Sequence, residues 1–467
     1  MTFSRLARLA SGLSVVGGIA LAAPMAVFAH GLNPTYTSRL PLAVYLAGAA
    51  ATVALSFVFV LVRDIRAEGP RTGGTGTFPP APIRYGLRTI GLVGWSWIMA
   101  QGLVGGVGEG EVATLFLWVY GWVGMAAVCA LLGPVWQFLD PFSTLHDIGA
   151  AIIRRLGIGT WDVADYPARL GRWPAVIGFA YFVWLELVMR PDPSTLFIVL
   201  VGYTALTVVM MAQFGRDAWR SNGEVFSVWF RLLGRLAPLA LADEEGRVRR
   251  RSFASGLLEP GWTLPDIVIV ALGVGSILFD GLSQTQIWFD LFGLPAPAIQ
   301  TFLLIGFLGL VLAAALVVTR FVGIAATGAG LLPIAVGYLV AHYLTYLLIL
   351  GQGIVAAISD PFQQGWDLFG TAFYEPSGDW LPPGLVWTVQ LAAVVGGHML
   401  GAWGGHVVAA LEAPRGMSAG TLRTRQVPLA VVMVALTTLT LWSLGQSIVV
   451  APEEPAAAQT VATSRRG

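Results

Sequence analysis

Long apolar runs separated by short polar segments dominate the pattern along this chain. A membrane helix needs about 20 mostly apolar residues, and ten such runs follow the N-terminal region. They lie at roughly 40–62, 89–107, 112–133, 173–190, 195–213, 264–284, 297–319, 331–355, 384–411 and 427–449. The pattern therefore predicts an all-α fold, a polytopic membrane helix bundle of about ten transmembrane helices.

The first 29 residues have the pattern of a secretory signal peptide. Arg5 and Arg8 precede a long apolar stretch, and a small-residue cleavage site ends at Ala29. Cleavage there leaves His30 as the mature N-terminus, outside the cytoplasm. The alternative is an uncleaved first helix. We expect residues 1–29 to be this signal, 30–449 a single transmembrane domain, and 450–467 a disordered outer tail.

Composition supports a membrane protein and excludes several other classes. Hydrophobic residues make up 56% of the 467 positions and charged residues only 11%, against about a quarter in soluble domains. The net charge of +1 argues against nucleic acid as a partner. Cys129 is the single cysteine, so an intramolecular disulfide is impossible. We expect the lipid bilayer and a small molecule or ion as partners.

The distribution of arginines predicts the orientation of the chain in the membrane. With the mature N-terminus outside, only four arginines lie on the outer side: Arg39, Arg190, Arg465 and Arg466. The predicted cytoplasmic segments hold many more, listed as Arg63, Arg66, Arg71, Arg84, Arg88, Arg154, Arg155, Arg169, Arg172, those from Arg216 to Arg251, Arg320, Arg415, Arg423 and Arg425. This asymmetry is the positive-inside pattern. It predicts a multi-pass protein of the bacterial cytoplasmic (plasma) membrane.

Two cytoplasmic stretches are predicted to form interfacial helices rather than spans. In 224–241, Phe and Leu lie opposite two arginines at helical spacing, and 141–172 is similar. The basic run 247–251 is expected to meet anionic headgroups. The Gly- and Pro-rich stretch 74–82 is expected to be a linker.

Ionisable side chains inside the predicted spans mark candidate sites, because such groups are costly in a membrane. Asp280 and Glu186 lie in the outer halves of spans 6 and 4, and Asp360 follows span 8 at the outer mouth. These three are the candidate catalytic residues. Amide and phenol groups of the same spans are the candidate substrate-binding residues, namely Gln284, Tyr338, Gln352 and Gln390. Together they predict a cavity open to the outer face.

A metal centre is a further hypothesis. His342, His398 and the N-terminal His30 are the candidate ligands, since zinc and copper accept imidazole. No short-range motif such as HExxH occurs, so a Zn or Cu site depends on convergence of the spans. The alternative is that each intramembrane histidine only bridges two helices. In span 9 this is supported by Gly397, Gly401 and Gly405, whose spacing of four allows close helix approach.

Several segments resemble a bacterial integral membrane family, the fenitrothion hydrolase-like proteins. They are AHGL after the signal, SILFDGLSQTQIW at 276–288, VAHYLTYLLILGQGIVAAISDPF at 340–362 and GWDLFGTAF at 365–373. The resemblance runs from about residue 30 to 412 and implies hydrolysis of an organophosphate triester with release of a nitrophenol. It carries over no catalytic residues.

The chemistry implied by the resemblance fits the polar residues of the spans. Phosphotriester hydrolysis needs an activated water and positive charge at the phosphoryl oxygen, typically from a metal. Asp280 or Glu186 as the base, with His342 and His398 as metal ligands, would form a coherent site. The alternatives are a secondary transporter or copper-handling permease, and a structural subunit of a membrane complex.

The frame Asp-Pro-Phe, four residues, Asp occurs at 140–147 and again at 360–367. The predicted topology puts the two copies on opposite sides of the membrane, as a five-plus-five inverted repeat would. The alternative, which we favour, is shared helix capping, because Asp is a preferred N-cap and Pro a preferred first helical residue. Asp140 is therefore predicted to be a cap, and Asp360 and Asp367 remain outer-mouth candidates.

Overall fold

The computed structural model describes residues 41–62, 72–77, 79–104, 112–157, 159, 164–241 and 247–446. Within these ranges the chain consists of helices and one small antiparallel sheet. The predicted signal peptide, His30 and the predicted outer tail from 450 lie outside the described residues.

The first half of the chain forms ten helices and three strands in the described ranges. They are α1 (Leu42–Val62), β1 (Thr72–Thr77), α2 (Ala81–Val104), α3 (Val112–Thr114) with a π-helical continuation (Leu115–Gly124), α4 (Met125–Leu131), α5 (Val135–Leu139), α6 (Pro141–Leu156), α7 (Trp173–Trp184) with a π-helical continuation (Leu185–Met189), α8 (Pro193–Phe214), α9 (Arg216–Asn222), α10 (Val225–Leu233), β2 (Leu239–Leu241) and β3 (Arg247–Arg251). Short 3₁₀ turns lie at Ala168–Leu170 and Ser255–Leu258.

The second half is made of longer helices. They are α11 (Leu264–Ser283), α12 (Gln286–Phe292), α13 (Pro297–Val322), α14 (Ile324–Leu350) followed by a 3₁₀ turn (Gly351–Gly353), α15 (Ile354–Ser359), α16 (Pro383–Leu411) and α17 (Ala419–Leu444).

In the described part of the chain, six helical stretches are long and apolar enough to cross a membrane, by length and composition: α8, α11, α13, α14 through α15, α16 and α17. Three shorter apolar helices, at Leu42–Val58, Leu115–Leu131 and Trp173–Met189, lie where three further spans are predicted. Helix α2 covers the remaining predicted span and carries two arginines. By helix composition the chain is a multi-pass membrane protein, and the total of ten crossings stays a prediction.

Two helices form the centre of the bundle. In the 18-residue apolar segment of α11, 83% of the residues are buried inside the protein, and in that of the stretch from α14 through α15 the share is 78%. The corresponding share is 22% for α8 and for α13. A helix that is apolar on all sides and covered by protein leaves room for polar groups only where they find partners. Polar groups of these two helices are therefore the first candidates for a site.

Helices α14 and α16 approach closely along a surface of glycines, as the spacing in span 9 predicts. A Cβ added at Gly401 would lie 2.3 Å from the carbonyl oxygen of Gly330, and one at Gly397 would lie 2.6 Å from that of Pro333. At Gly337 the added atom would lie 2.5 Å from the carbonyl oxygen of Ala393. The two helix backbones can come this close only because these positions have no side chain. The predicted close approach of another helix to the glycines of span 9 is therefore confirmed.

The segment around α10 differs from the predicted interfacial helix. Every residue of α10 except Arg231 is buried in the protein, and Phe226 and Phe230 pack against Trp136 with ring centroids 5.6 and 5.4 Å apart. The apolar face predicted to lie in the lipid interface instead covers the bundle. Aromatic side chains of neighbouring segments supply a closer-packed partner than headgroups do.

The predicted linker and basic run form a sheet. Strand β3 is central in the order β1–β3–β2, and both pairings are antiparallel. Thus residues 72–77, partly within the stretch predicted to be a linker, pair with the basic run 247–251, which is a strand. Sequence patterns missed this pairing because the strands are short and lie far apart in the chain.

The two Asp-Pro-Phe frames have different structures. Asp140 caps α6, accepting hydrogen bonds from the backbone N–H groups of Phe142 and Ser143, so its predicted role as a cap is confirmed. In contrast, Asp360 follows α15 and accepts from the backbone N–H groups of Gln364 and Gly365 in a turn. Shared helix capping therefore explains only the first copy.

Candidate acid–base site between the central helices

Four side chains from three helical segments form a hydrogen-bonded cluster, which we call the acid–base cluster: Glu186, Asp280, His342 and Tyr343. Asp280 on α11 is 1% exposed and lies at its centre. Its Oδ2 lies 2.9 Å from Nε2 of His342 and accepts from the Tyr343 hydroxyl at 3.3 Å. The cluster includes both intramembrane carboxylates predicted as catalytic.

Gln284 holds the other oxygen of the central carboxylate. One helical turn after Asp280, its amide Nε2 donates to Asp280 Oδ1 at 2.8 Å. The i, i+4 spacing of these two residues on α11 accounts for this contact. With His342 and Tyr343 on Oδ2, the orientation of the carboxylate is fixed by three side chains.

Tyr343 connects the two carboxylates. Its hydroxyl lies 3.5 Å from Oε1 of Glu186 and 3.3 Å from Oδ2 of Asp280. Glu186 comes from the π-helical continuation of α7. In a π-helix the side chains are rotated relative to an α-helix, and such segments are frequent at functional sites. The local π geometry therefore helps to place Glu186 beside α14.

The second imidazole nitrogen of His342 faces a glycine. A Cβ built at Gly281 would lie 3.6 Å from Nδ1 and 3.5 Å from Cε1 of His342. Among the described residues Nδ1 makes no hydrogen bond, whereas Nε2 is held by Asp280. One ring nitrogen is thus oriented by a carboxylate, and the other makes no hydrogen bond within the described part of the chain.

His398 lies apart from this cluster in the hydrogen-bond network. Its Nδ1 is 2.8 Å from the carbonyl oxygen of Val394, and its Nε2 is 3.4 Å from the hydroxyl of Tyr338. Both ring nitrogens are therefore engaged within the protein, and the side chain is fully buried. His398 and Tyr338 form a bridge between α16 and α14, the alternative given for an intramembrane histidine.

Two of the predicted substrate-binding amides also bond elsewhere. Gln390 donates to the carbonyl oxygen of Ala341 at 2.7 Å, which links α16 to α14. Gln352 donates to the carbonyl oxygen of Ser377 at 2.9 Å and accepts from the Tyr374 hydroxyl at 2.7 Å. Of the polar residues predicted to line one cavity, only Gln284 therefore hydrogen bonds to the acid–base cluster. Gln352 and Gln390 have other partners.

The loop after α15 holds the remaining carboxylates. Asp360 bonds the loop backbone, and Asp367 accepts from the Ser359 hydroxyl at 3.0 Å and from the Ala372 backbone N–H at 3.0 Å. The Ala372 N–H, with the hydrogen bond from Ser359, holds the pKa of Asp367 below its usual value. Both carboxylates stabilise the loop by hydrogen bonds within it, and neither hydrogen bonds to the acid–base cluster.

The predicted metal centre stays a prediction, since one of its three candidate ligands is not among the described residues. Among those residues, no group of three or more His, Cys, Asp or Glu side chains could hold a metal ion. His342 lies against Asp280 and His398 against Tyr338, so the two imidazoles have different hydrogen-bond partners. His30 lies outside the described residues.

Tyr343 is the member of the cluster that the sequence analysis missed. The candidate residues of span 8 were Tyr338, His342 and Gln352, and Tyr343 lies about 100° away from His342 around the helix. The available signal was a phenol beside an intramembrane histidine. Only the packing of α7 and α11 against α14 shows that both residues reach one carboxylate.

No protein-family model, curated protein or solved structure matches the chain.

Proposed function

We propose that this multi-pass membrane protein is a hydrolase in which His342 is the general base. The observation that carries the proposal is the 2.9 Å contact between Nε2 of His342 and the buried Asp280 carboxylate. A carboxylate that holds one imidazole nitrogen orients the ring and stabilises the imidazolium formed when the other nitrogen takes a proton. Nδ1 of His342 would then accept the proton of the attacking water.

This assignment differs from that based on the sequence alone. There, Asp280 or Glu186 was the base and His342 a metal ligand. In the structure both Asp280 oxygens are engaged by side chains, which suits an orienting group better than a base. The mechanism proposed for this chain's residues therefore needs no metal ligand role for His342.

The substrate class follows from the resemblance to fenitrothion hydrolase-like proteins. An organophosphate triester with an aryl leaving group carries no net charge that an apolar site would have to desolvate, and its aryloxide needs little acid assistance. Water attack at phosphorus, with a proton passing to His342, releases the phenolate and a phosphodiester. Tyr343 supports the reaction by donating to Asp280, and Glu186 lies within hydrogen-bond distance of the same hydroxyl.

The test is turnover of an aryl dialkyl phosphate by the purified full chain. We expect release of the phenol by wild type, and a loss of about 10²–10⁴-fold in rate in His342→Gln. His406→Gln, at a buried histidine bonded to Gln426, is the control and should keep the rate.

A second variant guards against simple loss of folding. Gly281→Ala adds a methyl group at ordinary contact distance from Nδ1 of His342, so the fold should persist while water approach is hindered. We expect a lower kcat with an unchanged thermal midpoint. Full activity of both Gly281→Ala and His342→Gln would refute the general-base role, and absence of turnover by folded wild type would refute the substrate class.

A proton-coupled carrier is the second candidate, and one observation favours it. The Tyr343 hydroxyl links two carboxylates on different spans, as proton relays in carriers do. The helix carrying it changes to a 3₁₀ turn at Gly351–Gly353, and broken helices are frequent in carriers. Proteoliposomes with an internal pH dye test this candidate: substrate-dependent acidification lost in Glu186→Gln supports it, and its absence in wild type opposes it.

A further inference from the structure

An arginine-rich cavity lies among α9, α10 and the sheet, and it shares no residue with the acid–base cluster. Its volume is about 200 Å³, less than the roughly 300–1,000 Å³ of pockets for drug-sized ligands. Five arginines and one carboxylate contribute to its lining, namely Arg220, Arg231, Arg235, Arg249, Arg251 and Glu259. The predicted orientation puts this cavity on the cytoplasmic side.

Two of the arginines form fixed walls. The side chain of Arg251 is 3% exposed and donates to the Glu259 carboxylate at 2.9 Å and to two backbone carbonyl groups. The guanidinium of Arg235 donates to three backbone carbonyl groups and lies 4.1 Å above the ring of Trp262. Their positions are set by the fold, so the cavity is preformed.

The other three arginines make fewer contacts with the protein. Arg249 donates one nitrogen to Glu259 at 2.8 Å, and Arg231 donates one to the carbonyl oxygen of Arg220 at 2.8 Å. Arg220 lies 3.1 Å from Asp217, which also pairs with Arg216. A guanidinium carries five N–H donors. Within the described part of the chain, Arg220, Arg231 and Arg249 therefore keep donors that no protein group uses.

The charge of the cavity lining is unbalanced, although Asp217 outside the lining pairs with Arg220. Five positive groups in the lining face one negative group, Glu259, and both oxygens of Glu259 are taken by Arg249 and Arg251. Like charges gathered in a partly buried space repel each other, and their desolvation is costly unless an anion enters. Guanidinium groups pair best with planar or tetrahedral oxyanions that accept two hydrogen bonds at once.

We propose that this cavity binds a phosphate-bearing anion, held by Arg220, Arg231 and Arg249 between the walls formed by Arg235 and Arg251. The phosphate belongs either to an anionic lipid headgroup or to a soluble phosphate compound. The small volume fits a phosphate group better than a bulky ligand. This site is separate from the proposed catalytic centre and does not depend on it.

Acidic residues of the same chain are the competitors for these arginines. Asp243, Glu244 and Glu245 stand between β2 and β3 in the sequence and lie outside the described residues. If the cavity takes an external phosphate, neutralising all three to Asn, Gln and Gln leaves binding intact or strengthens it. Loss of binding in that variant would overturn the proposal.

The experiment measures binding to the delipidated full chain in neutral detergent, with two probes. One probe is a short-chain phosphatidylglycerol, compared with the matching phosphatidylcholine, and the other is glycerol phosphate. We expect one of the two phosphate probes to bind, and Arg231→Gln with Arg249→Gln to weaken it about tenfold per arginine. Preference for phosphatidylglycerol assigns a lipid headgroup, and binding of glycerol phosphate assigns a soluble ligand.

Arg250→Gln is the matched control. Arg250 is exposed on the same strand and does not line the cavity, so its loss removes the same charge from the same region. We expect affinity in this variant within about twofold of wild type, which corresponds to a weak long-range effect. Equal weakening by Arg250→Gln, or binding of neither phosphate probe to wild type, would show that no such site exists.

Discussion

At the scale of single residues, a few side chains decide what the centre of the bundle can do. The buried Asp280 carboxylate is tolerated because His342, Tyr343 and Gln284 surround it with hydrogen-bond partners. The residue types Asp, His and Gln at these positions were identified from the sequence, since ionisable groups in spans are rare and costly. Which of them touch was decided by packing.

Asp192 provides a test of residue-level electrostatics. It caps α8, and although burial raises its pKa, hydrogen bonds from Ser194 and Thr195 outweigh this and lower the pKa from 3.8 to about 2. A carboxyl with a depressed pKa stabilises the fold above its unfolded pKa, and this contribution is lost as the pH falls from about 4 toward 2.

We therefore expect Asp192→Ala to lower stability by about 1 kcal/mol at neutral pH and by much less at about pH 2, where the carboxyl is protonated in the unfolded chain and half protonated in the folded one. Thermal unfolding at the two pH values measures the difference. Asp379→Ala, at an exposed carboxylate, should show no comparable pH dependence. An Asp192→Ala effect equal at both pH values would contradict the role of the ionised cap.

At the scale of elements, the contact between α14 and α16 organises the second half of the chain. The glycine spacing in α16 was visible in the sequence, but the partner was not, because any helix with a small-residue surface could have filled that role. The structure assigns α14, which carries His342 and Tyr343. The same contact thus supports one side of the acid–base cluster.

Gly401→Ala tests this contact. The added Cβ would lie 2.3 Å from the carbonyl oxygen of Gly330, so the two helix backbones must separate, at a cost typical of overpacking of about 1–3 kcal/mol. We expect a lower thermal midpoint in detergent. Gly396→Ala on the same helix meets nothing within 4 Å, so it should be neutral or slightly stabilising, and equal effects of both would contradict close packing.

At the scale of the whole molecule, orientation in the membrane determines which ligands reach each site. The arginine distribution predicts that the loop after α15 faces outward and that the turn between α16 and α17 faces the cytoplasm. The acid–base cluster and the arginine-rich cavity would then serve opposite sides. This separation allows the two proposed sites to act independently.

Cysteine labelling tests the orientation. Cys129 is buried and is the single native cysteine, so Cys129→Ala gives a background for new thiols. In intact cells we expect a membrane-impermeant maleimide to label Glu375→Cys, and to label Arg415→Cys only after permeabilisation. Both positions are exposed. The reverse labelling pattern would invert the topology and move the arginine-rich cavity to the outer side.

The sequence by itself determined the class of the protein and the residue types of its candidate site. The class follows from apolar runs of membrane length, few charges and an asymmetric distribution of arginines. These features depend only on the order of residues along the chain, so no coordinates are needed to recognise them. The cap at Asp140 and the glycine surface of α16 were predictable because each depends on neighbours within one or two helical turns.

Only the tertiary structure decided which distant residues meet. Glu186 reaches Tyr343 across 157 positions of chain, and Asp280 reaches His342 across 62, so their contacts depend on how three helical segments pack and on the π-helical turn of α7. The same holds for the pairing of β1 with β3, and for the arginines that line one cavity. The periodicity of residues along a helix or strand shows which side chains share one face. Which other element packs against that face depends on the packing of the whole bundle.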